Sequence, residues 1–284
     1  MGKCSMMTLP LVSAIIPTFN RAQSLMRAVD SVLAQSWSNL EIIVVDDGST
    51  DNSAELLRKR FGACIRILQL PRNRGVSYAR NRGFELSRGS FIAFLDSDDL
   101  WQPLKTERQL AFMQAQADIL ISQTDEIWIR NGKRVNPCKH HQKPSGSIFT
   151  ECLPLCVVSP SAVMMRRCFF VQMGLFDEAL PACEDYDLWL RTACRYPIPL
   201  LAEKLVTKYG GHNDQLSRTI PALDRYRICS LLKIINSGIL IPSQKTSAIA
   251  ILKSKSKIYL KGCRKRGRIG EAATLEQLIQ KLTG

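Results

Sequence analysis

The stretch LEIIVVDDGST, residues 40–50, decides the fold. Leu40, Ile42, Ile43, Val44 and Val45 make a run that is apolar on both faces, as expected of a strand buried inside a parallel sheet. Asp46-Asp47-Gly48-Ser49 closes the run in a polar turn, where Gly48 allows the chain to reverse and Ser49, Thr50 or Asp51 can cap the helix read from Ser53 to Phe61. Working outward, LVSAIIP (11–17) is a β-branched run closed by Pro17. Asn20 is expected to cap a helix in which Leu25, Val29, Val32 and Leu33 recur at helical spacing. CIRILQL (64–70) reads as a third strand, Val76 to Ser87 as a third helix and SFIAFLDSDD (90–99) as a fourth strand. Short strands alternating with helices imply a mainly parallel central sheet with right-handed crossovers, a Rossmann-like α/β layout. Ligands of such sheets bind beyond the carboxyl ends of the strands. Those ends carry Pro17-Thr18-Phe19-Asn20, Asp46-Asp47-Gly48-Ser49 and Asp96-Ser97-Asp98-Asp99, so polar groups converge on one rim.

Past Trp101 the rhythm loosens. Pro103 fits the first turn of a helix running to about Ala117, and ADILISQTDEIWI alternates like one or two strands. Residues 131–147 read as a loop. FTECLPLCVVSPSAVMMRRCFFVQMG (149–174) supplies strand, turn and helix, and Pro181 precedes a helix starting near Glu184. Beyond Pro221 the chain is helical and basic. The expected organisation is an N-terminal extension (1–10), a first half (11–101), a second half (102–215) and a basic helical C-terminal extension (216–284).

Composition bounds the function. Of 284 residues, 45% are hydrophobic and 23% charged, which excludes wholesale disorder. Mean hydropathy is −0.06 and no run approaches the roughly 18 apolar residues a membrane span needs. The first twenty residues, interrupted by Pro10 and Pro17, lack the pattern of a secretory signal. Ten cysteines without regular spacing read as reduced thiols, so a cytoplasmic location is expected. The net charge of +14 is concentrated at one end: sixteen basic and five acidic residues lie from Glu203 onward. Such a tail suits phosphates of nucleic acid, anionic lipid or a nucleotide substrate, or else a solvated surface.

Three acidic constellations could carry chemistry. Asp96, Asp98 and Asp99 follow a strand that must be buried, where like charges repel and desolvation is costly. A divalent cation with oxygen ligands would neutralise them; a helix-capping turn is the plainer reading. In Asp46-Asp47-Gly48-Ser49-Thr50-Asp51 one carboxylate suffices for the cap, and a second at the strand end could accept a hydrogen bond from a base or ribose. Neither a GxGxxG loop nor a P-loop follows the first strand. In CEDYDLW (183–189) the acids fall in a helix's first turn, where the dipole favours them. Yet Glu184 and Asp185 also abut Tyr186 and Trp189, an arrangement suited to holding a sugar beside a general base. Cys138, His140 and His141 match no closed zinc pattern, and His212 sits in a Gly-rich loop.

Taken in order, SAIIPTFNRAQSLMRAVDSVLAQSW, LEIIVVDDGSTDNS, NRGVSYARNRGFELSRGSFIAFLDSDDLWQP and EDYDLWLR resemble the family 2 glycosyltransferases of the GT-A fold, over about residues 11–215. The resemblance implies a nucleotide-sugar donor, most simply a UDP-sugar, a Mn²⁺ or Mg²⁺ cofactor, and transfer of one sugar with inversion to a saccharide or lipid-linked acceptor. It puts Pro17, Thr18, Asn20 and Asp47 beside the nucleoside and Arg80 near the diphosphate. It matches Asp96 and Asp98 to the DxD motif that meets ribose and metal, with Asp99 extending it and His212 as a looser metal or diphosphate contact. Asp185 matches the acid usually assigned as base, with Glu184 beside it. Tyr186 and Trp189 are expected at the acceptor. The QxxRW element and membrane helices of processive synthases are missing, and the basic tail suggests peripheral contact with the inner face of a membrane. A sugar-phosphate nucleotidyltransferase would normally carry a Gly-rich triphosphate loop where TFNRAQ stands. A nucleic-acid-binding protein would leave the acidic strand ends unexplained, and no nucleic-acid partner is expected.

Overall fold

The computed structural model describes residues 9–136, 142–211 and 219–283. Its N-terminal half follows the strand–helix rhythm: β1 (Val12–Thr18), α1 (Ala22–Leu33), β2 (Leu40–Asp46), α2 (Ser53–Phe61), β3 (Arg66–Gln69), α3 (Val76–Leu86) and β4 (Phe91–Phe94). There follow β5 (Leu100–Trp101), α4 (Lys105–Gln114), β6 (Ile121–Arg130), β7 (Lys133–Val135), α5 (Phe149–Cys152), β8 (Val163–Arg166), α6 (Arg167–Met173), α7 (Glu184–Ala193) and β9 (Leu200–Gly210). Three helices complete the described chain: α8 (Asp224–Asn236), α9 (Pro242–Lys265) and α10 (Ile269–Thr283).

One central sheet, in the order β3-β2-β1-β4-β8-β6-β9-β5 with β7 beside β6, is flanked by helices. Pairing is parallel from β3 to β4, whereas β8 runs antiparallel to both β4 and β6. Strand alternation sorts the core. Ile15, Ile43, Val45, Ile92 and Phe94 face one cluster with residues of α3, α7 and the C-terminal helices. Ala14, Ile16, Ile42, Val44, Ala93 and Leu95 face a second cluster under α1 and α2. Gly83 lets α3 lie directly on β1, because a Cβ there would collide with the Ile15 side chain.

The register aligns the strand ends: Thr18 lies opposite Asp46, Asp46 opposite Gln69, and Ile15 opposite Phe94. The turns after β1, β2 and β4 therefore open on the same edge of the sheet. The longest strand, β9, pairs parallel with β6 and antiparallel with β5, which brings Lys208 and Tyr209 to the turn that follows β4.

Candidate active site

The rim is assembled by ion pairs rather than by backbone alone. Arg80, buried on α3 at 3% exposure, donates to Asp96 Oδ1 at 2.7 Å and to Glu184 Oε1 at 2.6 Å. Its guanidinium forks between the end of β4 and the first turn of α7, a geometry a single ammonium does not reproduce. Burial pulls Arg80 toward losing its proton, but Asp96 and Glu184 outweigh that and hold it firmly charged. Asp96 stays below the ordinary carboxylate range despite its own burial, through Arg80 and then Lys208. On the β1 side, Arg21 donates to Asp98 Oδ2 at 2.5 Å. Lys208 donates to Ser159 Oγ at 3.0 Å and is held charged against burial by Glu126, Asp99, Asp96 and Asp185.

Asp185 lies next to this bridge and, unlike Glu184, is only half-buried. Its Oδ1 accepts from the Tyr186 amide at 2.7 Å and its Oδ2 from the Cys156 thiol at 3.3 Å, which the same sulfur shares with Val158 O. Burial, then the Asp185 charge, raises the Cys156 thiol well above its usual range, so it remains a protonated donor and not a nucleophile. Its loss should be modest. Cys156→Ala is expected to lower kcat about fivefold, the worth of one weak thiol donor to the Asp185 carboxylate, with Cys156→Ser retaining turnover. Steady-state kinetics on the two variants checks this.

Asp47 is buried, its two oxygens accepting the amides of Arg74 at 2.9 Å and Gly75 at 2.8 Å. Burial raises it despite those bonds. Its carboxylate thus braces the 72–75 loop from below. Gly48, at φ 74°, sits under that loop where a Cβ would meet the backbone of Arg72 and Asn73. Beyond the ends of β2 and β3 lies an open cleft of about 460 Å³ lined by Gly48, Ser49, Thr50, Gln69, Leu70 and Pro71. Pro17 and Thr18 are buried at the end of β1 and do not line this cleft; Thr18 Oγ1 has no hydrogen-bond partner among the described residues.

Several residues take roles other than those their sequence suggests. Asn20 is not the cap of α1: the cap position is Arg21, without a side-chain bond. Asn20 instead takes a left-handed φ of 51°, and its Oδ1 accepts the amides of Thr50 and Asp51, tying the first two rim turns together. Asp99, 1% exposed, turns inward to accept from Ser161 Oγ at 2.7 Å and the Tyr209 amide at 3.1 Å. Burial leaves it far above the normal carboxylate range. It braces the turn and does not reach the rim. Tyr186 and Trp189 do not reach it either, each 1% exposed in the core with Tyr186 Oη donating to Leu153 O at 2.6 Å. With Leu190 and Ala193 they form the inward stripe of α7 at positions i, i+3, i+4 and i+7. Glu184 is equally buried and committed to Arg80. His212 lies outside the described residues.

Asp96 and Asp98 share one turn and are half-buried, not sealed. Among the described residues no three His, Cys, Asp or Glu side chains converge as a complete metal cage. Two hard carboxylate donors on one turn nevertheless suit Mg²⁺ or Mn²⁺, which fill their remaining positions with phosphate oxygens and water. Arg21, Lys208 and Cys156 were not expected from the sequence. Arg21 was in view within TFNRAQ, but nothing local links it to Asp98. Lys208 and Cys156 arrive from distant segments.

The family model for glycosyl transferase family 2 matches residues 13–172, more than half the chain. An uncharacterized glycosyltransferase of Rickettsia felis is 33% identical over 217 residues, 74% of this chain and 36% of that protein. The putative teichuronic acid biosynthesis glycosyltransferase TuaG of Bacillus subtilis is 32% identical over 160 residues, 56% of this chain and 63% of that protein. The chain thus spans about a third of the length of the rickettsial relative. Among solved structures, S. aureus TarS 1–349 in complex with UDP-GlcNAc superposes with a TM-score of 0.69 at 19% identity, covering 85% of this chain and 70% of that one. The mannosyltransferase PcManGT of Pyrobaculum calidifontis, in complex with GDP-Man and Mn²⁺, does so with 0.63 at 14% identity, covering 98% and 85%. The fold is that of these GT-A type glycosyltransferases.

Proposed function

Because the chain belongs to glycosyl transferase family 2, we propose that it moves a single sugar from a nucleoside diphosphate sugar to an acceptor hydroxyl with inversion. The observation that carries this reading is the Asp96–Arg80–Glu184 bridge. It sets the carboxylates at the end of β4, the natural site for a donor diphosphate, beside the one accessible acid of α7. The cleft above Gly48 to Thr50 would take the nucleoside, with Pro17 and Thr18 on the neighbouring strand end and Asp47 and Asn20 fixing the loops around it.

Asp185 is the general base. It takes the proton of the acceptor hydroxyl as that oxygen bonds to the anomeric carbon and the bond to the diphosphate breaks on the opposite face. Glu184 positions Arg80 and does not itself touch substrate. Arg21 and Lys208 are cations placed to meet charge that accumulates on the leaving diphosphate. Asp98, with Asp96, would hold Mn²⁺ or Mg²⁺, whose chemistry is to stabilise that leaving charge as a Lewis acid. The UDP-GlcNAc and GDP-Man complexes of the structural neighbours support a UDP- or GDP-sugar donor. The TuaG similarity, to a putative teichuronic acid biosynthesis glycosyltransferase, supports a saccharide acceptor.

Asp98→Ala is expected to weaken UDP binding in Mn²⁺ at least tenfold while leaving metal-free UDP binding within a few-fold of wild type. Calorimetric titration with and without Mn²⁺ checks this, and equal Mn²⁺-dependent affinity would remove Asp98 from the metal site. The function itself is tested with a panel of nucleotide sugars, read by thermal stabilisation and by transfer to saccharide acceptors. Stabilisation by no nucleotide sugar would refute it.

A further inference from the structure

Away from the rim, the least compensated surface is the outer face of α9. The helix carries seven Lys and Arg and no acidic residue. Its inner stripe, Ala248, Leu252, Ser256, Tyr259, Leu260 and Cys263, is buried. Lys255 is paired with Asp224 at 3.2 Å and Arg264 with Glu276. Lys253, Lys257, Lys261 and Lys265 follow one another at one-turn spacing, all exposed and without an ion partner among the described residues. On the flank of this row, one turn before Lys261, stands Ile258, 66% exposed.

We propose that this face docks on an anionic lipid surface, the lysines meeting the headgroups and Ile258 entering the headgroup–acyl boundary. Lysine stems lie along apolar surface while their ammonium groups reach the phosphates, so a row of lysines flanked by an exposed aliphatic residue suits a bilayer interface. Nucleic acid fits less well. An exposed isoleucine gains nothing from a phosphate backbone, and the aromatic ring of this helix, Tyr259, is buried and presents no stacking platform. No described helix is long and apolar enough to cross a membrane, so attachment through α9 would be peripheral. α9 packs on α8, and α8 on α7, the helix bearing Asp185.

The test is co-sedimentation of the full chain with phosphatidylcholine vesicles, with and without phosphatidylglycerol, at low and physiological salt. Binding is expected only with phosphatidylglycerol and falls with salt. Each lysine near the surface contributes about fivefold, so the triple variant Lys253→Gln, Lys257→Gln, Lys261→Gln should partition about a hundredfold more weakly. Ile258→Ser should lose about tenfold, with the loss persisting at low salt. All four positions are exposed, and an unchanged Tm confirms that the variants fold. Equal binding to uncharged vesicles, no vesicle binding at low salt, or binding indifferent to either variant overturns the proposal. So does binding of a single-stranded RNA oligomer in the absence of vesicle binding. Because sedimentation reads no sugar transfer, its failure leaves the glycosyltransferase reading standing, and the reverse holds too.

Discussion

Asp185→Asn is expected to lower kcat by about a thousandfold or more while nucleotide-sugar affinity stays within a few-fold of wild type. A sugar hydroxyl is a poor nucleophile, and a positioned base contributes roughly 10²–10⁴ in rate, each power of ten corresponding to about 1.36 kcal/mol. The amide keeps the shape of the carboxylate and can still accept from the Tyr186 amide, so the turn that opens α7 should survive. What it lacks is the capacity to take a proton. Glu184→Gln provides the contrast. Glu184 is 4% exposed with Oε1 donated to by Arg80, so this variant should lose stability before it loses chemistry, and its residual kcat should exceed that of Asp185→Asn at a temperature where both are folded. Single-turnover assays with saturating donor separate the two. Turnover of Asp185→Asn within tenfold of wild type would move the base elsewhere.

The parallel half of the sheet was legible because its strands are buried on both faces and its turns are polar. Ser53–Phe61 is helical as read, and the three rim motifs end adjacent strands. Arg80, Asp96 and Glu184 were each conspicuous, but their union was not, since it depends on how α3 lies against the sheet and where α7 begins. Tyr186 and Trp189 were misplaced for an identifiable reason. Their acidic neighbours suggested a sugar platform, yet their spacing with Leu190 and Ala193 is that of an inward helical face. Asn20 carried a capping residue's chemistry into a left-handed position, where its side chain serves the neighbouring loop. Asp99 looked like its neighbours in sequence, and only the approach of Ser161 and β9 distinguishes it. Lys208 and Cys156 were invisible for the same reason: their partners are tertiary. The mixed half of the sheet followed weaker cues, because a short strand such as β8 carries little periodic signal of its own.

Arg80→Met should be the most destabilising substitution at the rim, and more so at alkaline pH. It leaves Glu184 buried beside Asp185 with no cation, and breaking a buried pair by removing one partner typically costs about 3–5 kcal/mol. The pH dependence follows from Glu184. Burial pushes its carboxyl up to about 7, the neighbouring Asp185 adds to that, and Arg80 opposes it. A carboxyl whose native pKa is raised favours the folded state below its unfolded value near 4.5, and that contribution is lost as pH rises through the native value. Without Arg80 the native value climbs further, so the charged form becomes less tolerable across the neutral and alkaline range. At pH 5 the variant holds Glu184 protonated, and only the part of the penalty owed to Asp96 and to lost packing remains. The Tm deficit of Arg80→Met is therefore expected to be roughly 10 °C at pH 8 and clearly smaller at pH 5. Arg80→Lys should recover only part of it, because one ammonium cannot serve Asp96 and Glu184 in the forked geometry. Thermal melts of the three proteins across this pH range decide the matter. A Tm for Arg80→Met that tracks wild type at every pH would mean that the β4–α7 bridge does not hold the rim together, and the placement of Asp185 opposite the donor would lose its support.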